Sequence, residues 1–128
     1  MTEAEIISAF VTLFRGRGDC YGSESGGCVR ERLTTNVFTK HLTTGPSIGV
    51  YPAVPTDGDA ICVWGCSDID IEDIDAAKLI KRTLESAGVH AWVERSRSKG
   101  YHVWVFADGV VPAEDMRRML LVAHQVAD

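Results

Sequence analysis

An α+β fold is what this sequence predicts, and three observations predict it. Helix-spaced and strand-spaced apolar residues alternate along the chain. From residue 60 onward the elements follow in the order β-α-β-β-α. The chain has 128 residues, 45% hydrophobic and 24% charged, the size and composition of one ordinary globular domain.

Each element has its own signal. Residues 3–14 place Ile6, Ile7, Phe10, Leu13 and Phe14 at helical spacing, and the glycines of "RGRGDCYGSESGG" then break that helix. "LTTNVFTKHL" reads as a short helix with a threonine cap. "SIGVYPAV" reads as a strand, "TDGD" as a turn, and "AICVWGCSDID" as a strand rich in β-branched and aromatic residues. A helix over 74–87 gathers Ile74, Ala77, Ile80, Leu84 and Ala87 on one face, with an acidic first turn and Gly88 at its end. "VHAWVERS" and "YHVWVFA" are strands flanking "RSKG". A last helix starts near Pro112 and buries Met116, Met119, Leu120, Ala123 and Val126.

The order from residue 60 is a split β-α-β unit, a ferredoxin-like, RNA-recognition-motif-like palm short of its final strand. The expected organisation is one domain over 1–128, with an N-terminal α/β part at 1–59 and the palm-like part at 60–128. An incomplete sheet leaves an open edge, which would suit pairing with a second chain.

Composition narrows the setting. No apolar run approaches the roughly 18 residues of a membrane span, and the N-terminus does not read as a signal peptide, so the cytoplasm is expected. Four cysteines fit a reducing compartment: Cys20 and Cys28 in a Gly/Ser-rich loop, Cys62 and Cys66 on or beside a strand. Their spacings match no paired zinc knuckle; plain thiols are expected, with a Cys20/Cys28/His41 metal site as the alternative. A net charge of −5 argues against a generic DNA-coating protein. The charge is segregated, however. Residues 57–75 hold seven acids and no Lys or Arg, whereas residues 78–99 hold six bases and two acids. Such segregation suits a site where cations and anionic phosphates meet.

Asp68 and Asp70 are two apart at a strand end, so both point to one face. Two carboxylates there repel unless a cation lies between them, and a hard divalent ion, Mg²⁺ or Mn²⁺, takes such oxygen ligands. Two such ions can activate an attacking oxygen and neutralise a leaving phosphate. Glu72, Asp73 and Asp75 fit a plainer role as helix N-terminus acids. Ser96, Ser98, Lys99 and the backbone at Gly100 form a polar, basic loop of the kind a triphosphate needs. His102 opens the next strand, beside the Asp68/Asp70 strand, with Trp104 on its face and Tyr101 and Val103 opposite. Taken alone, the loop is a hairpin turn with a solvated lysine.

"IDID" followed by "SRSKGYHVW" resembles the first two motifs of the archaeo-eukaryotic primase–polymerases: an h-D-h-D strand end and a Ser-x-x-x-Gly-x-His element. "LFRGRGDCYG" and "HL…IGVYPAV" are similar to the primase–polymerase domains of phage and mobile-element proteins, so the likeness spans about residues 10–126. It implies metal-dependent primer synthesis or extension in DNA replication, by nucleotidyl transfer. It implies Asp68 and Asp70 as catalytic metal ligands for Mg²⁺ or Mn²⁺. It implies His102 on the nucleotide phosphates, with Ser96, Ser98 and Lys99 beside it. Arg15 and Arg17 match a basic element that contacts nucleic acid or nucleotide. Arg97 stands where many relatives have glycine. The implied partners are nucleoside triphosphates, a DNA template and primer, and a downstream primase segment or helicase.

The family's third motif, a carboxylate on a strand after the last helix, has no counterpart, Asp128 being the only acid near. Two expectations follow. The chain is an N-terminal part whose remainder supplies that strand, or it is a reduced module that binds nucleotide or nucleic acid without turnover. Other two-Asp or palm-like chemistries fit less well. A rolling-circle nuclease needs a His-hydrophobe-His pair, and a D-x-D glycosyltransferase needs a chain about twice as long.

Overall fold

The computed structural model describes residues 1–127, so Asp128 lies outside the described residues. They form four helices and six strands in two compact units, Met1–Val63 and a second beginning at Trp64.

In the first unit, α1 (Glu3–Leu13) starts with a reciprocal cap. The Glu5 backbone N–H donates to the Thr2 hydroxyl at 3.1 Å, and the Thr2 N–H donates to the Glu5 carboxylate at 3.0 Å. Phe10 packs against Phe14 and, edge-on, against Phe38 of α2 (Thr35–Thr43), the buried residue of that helix. The apolar face of α1 is narrower than its spacing predicts: Ile6 and Leu13 are exposed. Thr34 is the N-cap of α2 by backbone shape, but its hydroxyl caps nothing.

The Gly/Ser-rich loop expected after α1 is more ordered than a break. It holds a short antiparallel hairpin, β1 (Tyr21–Ser23) with β2 (Cys28–Val29), and β3 (Ile48–Gly49) pairs with the other edge of β1. The strand expected over 47–54 shrinks to β3 plus one isolated bridge, Val54 with Ile61. The cause lies in Tyr51 and Pro52. The Tyr51 carbonyl accepts the Arg17 N–H at 2.8 Å, and Pro52 has no N–H to give a ladder.

β4 (Ile61–Ile69) runs into the second unit, where α3 (Ile74–Ser86), β5 (Trp92–Arg95), β6 (Tyr101–Pro112) and α4 (Ala113–Ala127) follow. The sheet order is β4-β6-β5. β4, α3 and β5 are therefore the split unit, with β6 inserted between its strands and antiparallel to β5. This is the ferredoxin-like α+β palm. β6 is longer than the expected 101–107 and β5 shorter than the expected 89–96.

Alternation decides what each face of this sheet meets. Tyr101, Val103 and Val105 of β6 are buried, while His102, Trp104 and Phe106 between them are half-exposed. The buried set joins Ala77, Ile80 and Leu84 of α3 and Met116, Leu120 and Ala123 of α4 in one core, with Ile80 and Val103 fully enclosed. Gly65 lets α4 come close to β4: a Cβ there would collide with the Met116 and Leu120 side chains. Gly88 ends α3 as expected, with the Val89 N–H on the Leu84 carbonyl at 3.0 Å. Ile74 and Val126, placed on the apolar faces by spacing, are exposed. Among the described residues no strand follows α4, and no helix is long and apolar enough to cross a membrane.

Candidate active site at the end of β4

β4 delivers its acids by simple alternation. Ser67 and Ile69 are buried, whereas Asp68 and the following Asp70 are exposed, as period-2 geometry requires. Asp73 is the N-cap of α3, its carboxylate accepting the Asp75 and Ala76 N–H groups at 3.0 and 3.3 Å. The five acids of "DIDIED" and "ID" thus divide by job: two on the strand face and Asp73 at a cap.

The basic loop is a tight hairpin between β5 and β6. The Ser96 N–H donates to the Gly100 carbonyl at 2.9 Å, leaving Arg97, Ser98 and Lys99 exposed at the tip. Gly100 sits at φ +82°, a region that side chains disfavour. It also presses on the end of β4. A Cβ on Gly100 would drive into the Ile69 carbonyl oxygen and crowd the Asp70 backbone. The loop is therefore fitted directly against the strand end that carries Asp68 and Asp70.

Glu72 ties the two together. One carboxylate oxygen accepts the Gly100 N–H at 3.0 Å, and the other pairs with Arg95 at 3.0 Å. Reading Glu72 as a solvated helix-terminus acid is thus corrected: it is a latch between the acidic turn and the hairpin. Arg95 also reaches the Tyr101 hydroxyl at 3.3 Å.

His102 lies in a row across three strands. On β5, directly opposite in register, is Glu94, whose Oε1 is 3.0 Å from His102 Nδ1. On β4, Asp68 Oδ1 is 3.5 Å from His102 Nε2. The same Glu94 oxygen accepts the Trp104 indole N–H at 3.1 Å. Beyond this row the face is aromatic: Trp64 packs on Trp104, Trp104 stacks with Phe106, and Phe106 meets the exposed Trp92 edge-on. The Cys66 thiol records the local field. Burial, then the negative charges of Asp68 and Glu94, push it up to about 12.

Asp68, Asp70, Ser96, Ser98, Lys99 and His102 thus come from the end of β4 and the residue just after it, the hairpin and β6, and Gly100 brings those elements together. Arg97 sits on the tip with them and is exposed. Arg15 and Arg17 belong to the first unit. Arg17 makes a two-pronged pair with Asp19, at 2.6 and 3.1 Å, and Arg15 donates to the Thr12 carbonyl at 2.7 Å. Glu94 and Arg95 were not singled out from sequence, and Glu72 was read there only as a helix N-terminus acid. Glu94 had a signal: a hairpin centred on Ser98 pairs residue 94 with residue 102. The alternative Cys20/Cys28/His41 metal site is not formed. His41 Nδ1 is held by the Pro46 carbonyl at 2.8 Å, and its ring packs on Phe10.

Asp68 and Asp70 supply the hard oxygen donors that Mg²⁺ or Mn²⁺ prefers. Among the described residues no group of three or more His, Cys, Asp or Glu side chains is arranged to hold a metal ion. The donor chemistry fits such an ion held by two carboxylates with water completing its shell, as magnesium tolerates.

The split β-α-β unit places the second unit among ferredoxin-like α+β palm domains. The chain belongs to the archaeo-eukaryotic primase family: the family model described as "TOTE conflict system, Archaeo-Eukaryotic Primase domain" matches residues 27–127. Comparison with curated proteins finds no match. At the level of the superfamily, membership associates this domain with primase- and polymerase-like nucleotidyl transfer, with nucleotide and nucleic-acid binding, and with divalent metals.

Proposed function

We propose that the end of β4 and the 96–100 hairpin form a metal-dependent site for a nucleoside triphosphate, used for primer synthesis or extension on a DNA template. One observation carries this reading. Gly100, jammed against the Ile69–Asp70 backbone, fixes a loop of hydroxyls, N–H groups and lysine beside two exposed carboxylates. In this reading the palm-like part is residues 60–128 of a single domain.

Asp68 and Asp70 would hold Mg²⁺ or Mn²⁺, which supplies charge neutralisation at the reacting phosphate. Lys99, with the Ser96 and Ser98 hydroxyls, would bind the triphosphate, and His102 would approach it through Nε2. The chain's own contribution is positioning and electrostatics, which dominate phosphoryl and nucleotidyl transfer. Arg97 on the hairpin tip is a candidate nucleic-acid contact. Arg17, paired with Asp19, would first have to exchange that partner for a phosphate. Arg15 is a further contact candidate.

Primer extension with labelled DNA and Mn²⁺ tests the proposal, on the chain alone and together with any further segment or partner. Extension should vanish in Asp68→Ala and Asp70→Ala; activity that survives both substitutions refutes it. A second reading, binding without turnover, is favoured by the lack of a third metal-directed side chain among the described residues. Calorimetry with a nucleoside triphosphate and Mg²⁺ separates the two: binding without extension supports the second, and no heat at millimolar nucleotide removes it.

A further inference from the structure

We infer that Glu94 is a positioning residue: through its hydrogen bond to His102 Nδ1 it holds the imidazole so that Nε2 faces the Asp68 end of the sheet. The inference rests on the proposed nucleotide site, and it concerns a residue outside both the Asp68/Asp70 motif and the Ser96–His102 motif.

The two contacts of His102 are unequal. Glu94 Oε1 is 3.0 Å from Nδ1, inside the normal N–H···O range, whereas Asp68 Oδ1 is 3.5 Å from Nε2, outside it. The ring is therefore held from the β5 side and only approached from the β4 side. A histidine whose one nitrogen is tied to a carboxylate has its orientation and its tautomer set by that bond, leaving the other nitrogen for a ligand. Here the other one is Nε2, on the side of the exposed carboxylates.

The sheet makes this geometry specific to Glu94. It is the cross-strand partner of His102, and Trp104 is the diagonal neighbour two residues on. Oε1 accepts from both, at 3.0 and 3.1 Å. One oxygen thus fixes the plane of the imidazole and of the indole, which also meet edge-on at 5.6 Å between ring centres. Rotation of His102 toward a nucleotide or away from it has to break the Glu94 bond. Glu94 itself is more than half exposed, so its removal should leave the core intact.

Three variants test this in the full chain: Glu94→Ala, Glu94→Gln and His102→Ala. Side-chain ¹H–¹⁵N spectra of histidine report the tautomer and hydrogen bonding of His102, and calorimetry with a non-hydrolysable nucleoside triphosphate analogue and Mg²⁺ reports affinity. In the wild type His102 should be protonated at Nδ1. Glu94→Ala should shift both ring nitrogens toward a mixed state and weaken nucleotide binding about five- to tenfold, the scale of one ordinary hydrogen bond. Glu94→Gln keeps an oxygen acceptor and should recover most of the wild-type spectrum. Combining Glu94→Ala with His102→Ala should weaken binding no further than His102→Ala alone, because both act through one ring. An unchanged His102 spectrum in Glu94→Ala overturns the inference, as does additive loss in the double variant. Failure of the wild type to bind the nucleotide would instead remove the site reading, and the spectra would still decide whether Glu94 orients the ring.

Discussion

Replacing Gly100 with alanine is the sharpest perturbation available, because one methyl group tests the link between hairpin and strand end. Two costs are expected. An L-residue at φ +82° pays about 1–2 kcal/mol of backbone strain. The new Cβ also collides with the Ile69 carbonyl, so Gly100 must move off β4. That movement stretches its N–H bond to Glu72, a bond to a charged acceptor worth roughly 1.5–3 kcal/mol. The sum is about 3 kcal/mol, which lowers a thermal midpoint by roughly 10 °C in a chain of this size. Gly109→Ala is the control. It adds the same methyl on β6, the strand that follows the hairpin, meets nothing within 4 Å and has no positive φ, so it should stay within about 0.5 kcal/mol. Denaturation followed by tryptophan fluorescence measures both, and calorimetry with nucleotide and Mg²⁺ follows the site. Gly100→Ala should also weaken nucleotide binding, because the loop no longer seats beside Asp68 and Asp70. If Gly100→Ala and Gly109→Ala behave alike in both measurements, the reasoning that the hairpin is wedged on the strand end is wrong.

Four more outcomes are expected. Glu72→Ala removes the latch between Gly100 and Arg95; the exposed ion pair contributes little, but the loss of the Gly100 bond should cost roughly 1.5–3 kcal/mol in urea unfolding. Ile80→Ala empties a fully buried position between α3 and the sheet and should cost about 2–5 kcal/mol by the same assay. Cys66, pushed up to about 12 when folded from an ordinary value of 9.0, keeps its proton where the unfolded thiol loses it. Its contribution is fully present below pH 9 and is lost as pH rises toward 12, so the slope of stability against pH over that window should flatten in Cys66→Ala. At pH 8, iodoacetamide should label the exposed Cys28 before Cys66, read by mass spectrometry.

Much of the palm was legible because its signals are local. Apolar spacing is written into α3 and α4, and Gly88 and Pro112 mark their ends. The β-branched and aromatic runs of β4 and β6 alternate between core and open face as their spacing requires. The first unit was less legible. Its strands are two and three residues long, and such short pairings depend on which backbone groups a distant segment has already taken, as Arg17 takes the Tyr51 carbonyl. Ile6, Leu13, Ile74 and Val126 have the right spacing for a core yet stand exposed at helix ends or edges.

The same division holds at the site. Residue chemistry alone singled out Asp68 and Asp70, the Ser/Lys hairpin and His102, because carboxylates two apart and hydroxyls around a glycine have few other uses together. It also carried the resemblance to the primase family that the match over residues 27–127 supports. Tertiary structure decided the roles of Glu72, Glu94, Arg95 and Gly100. Glu72 looks like any helix-start acid until its carboxylate is seen across 28 residues of chain from Gly100. Glu94 acts on His102 only because β5 and β6 pair in one register. Sequence lists what each side chain can do; strand pairing and the close approach at Gly100 determine which of them meet.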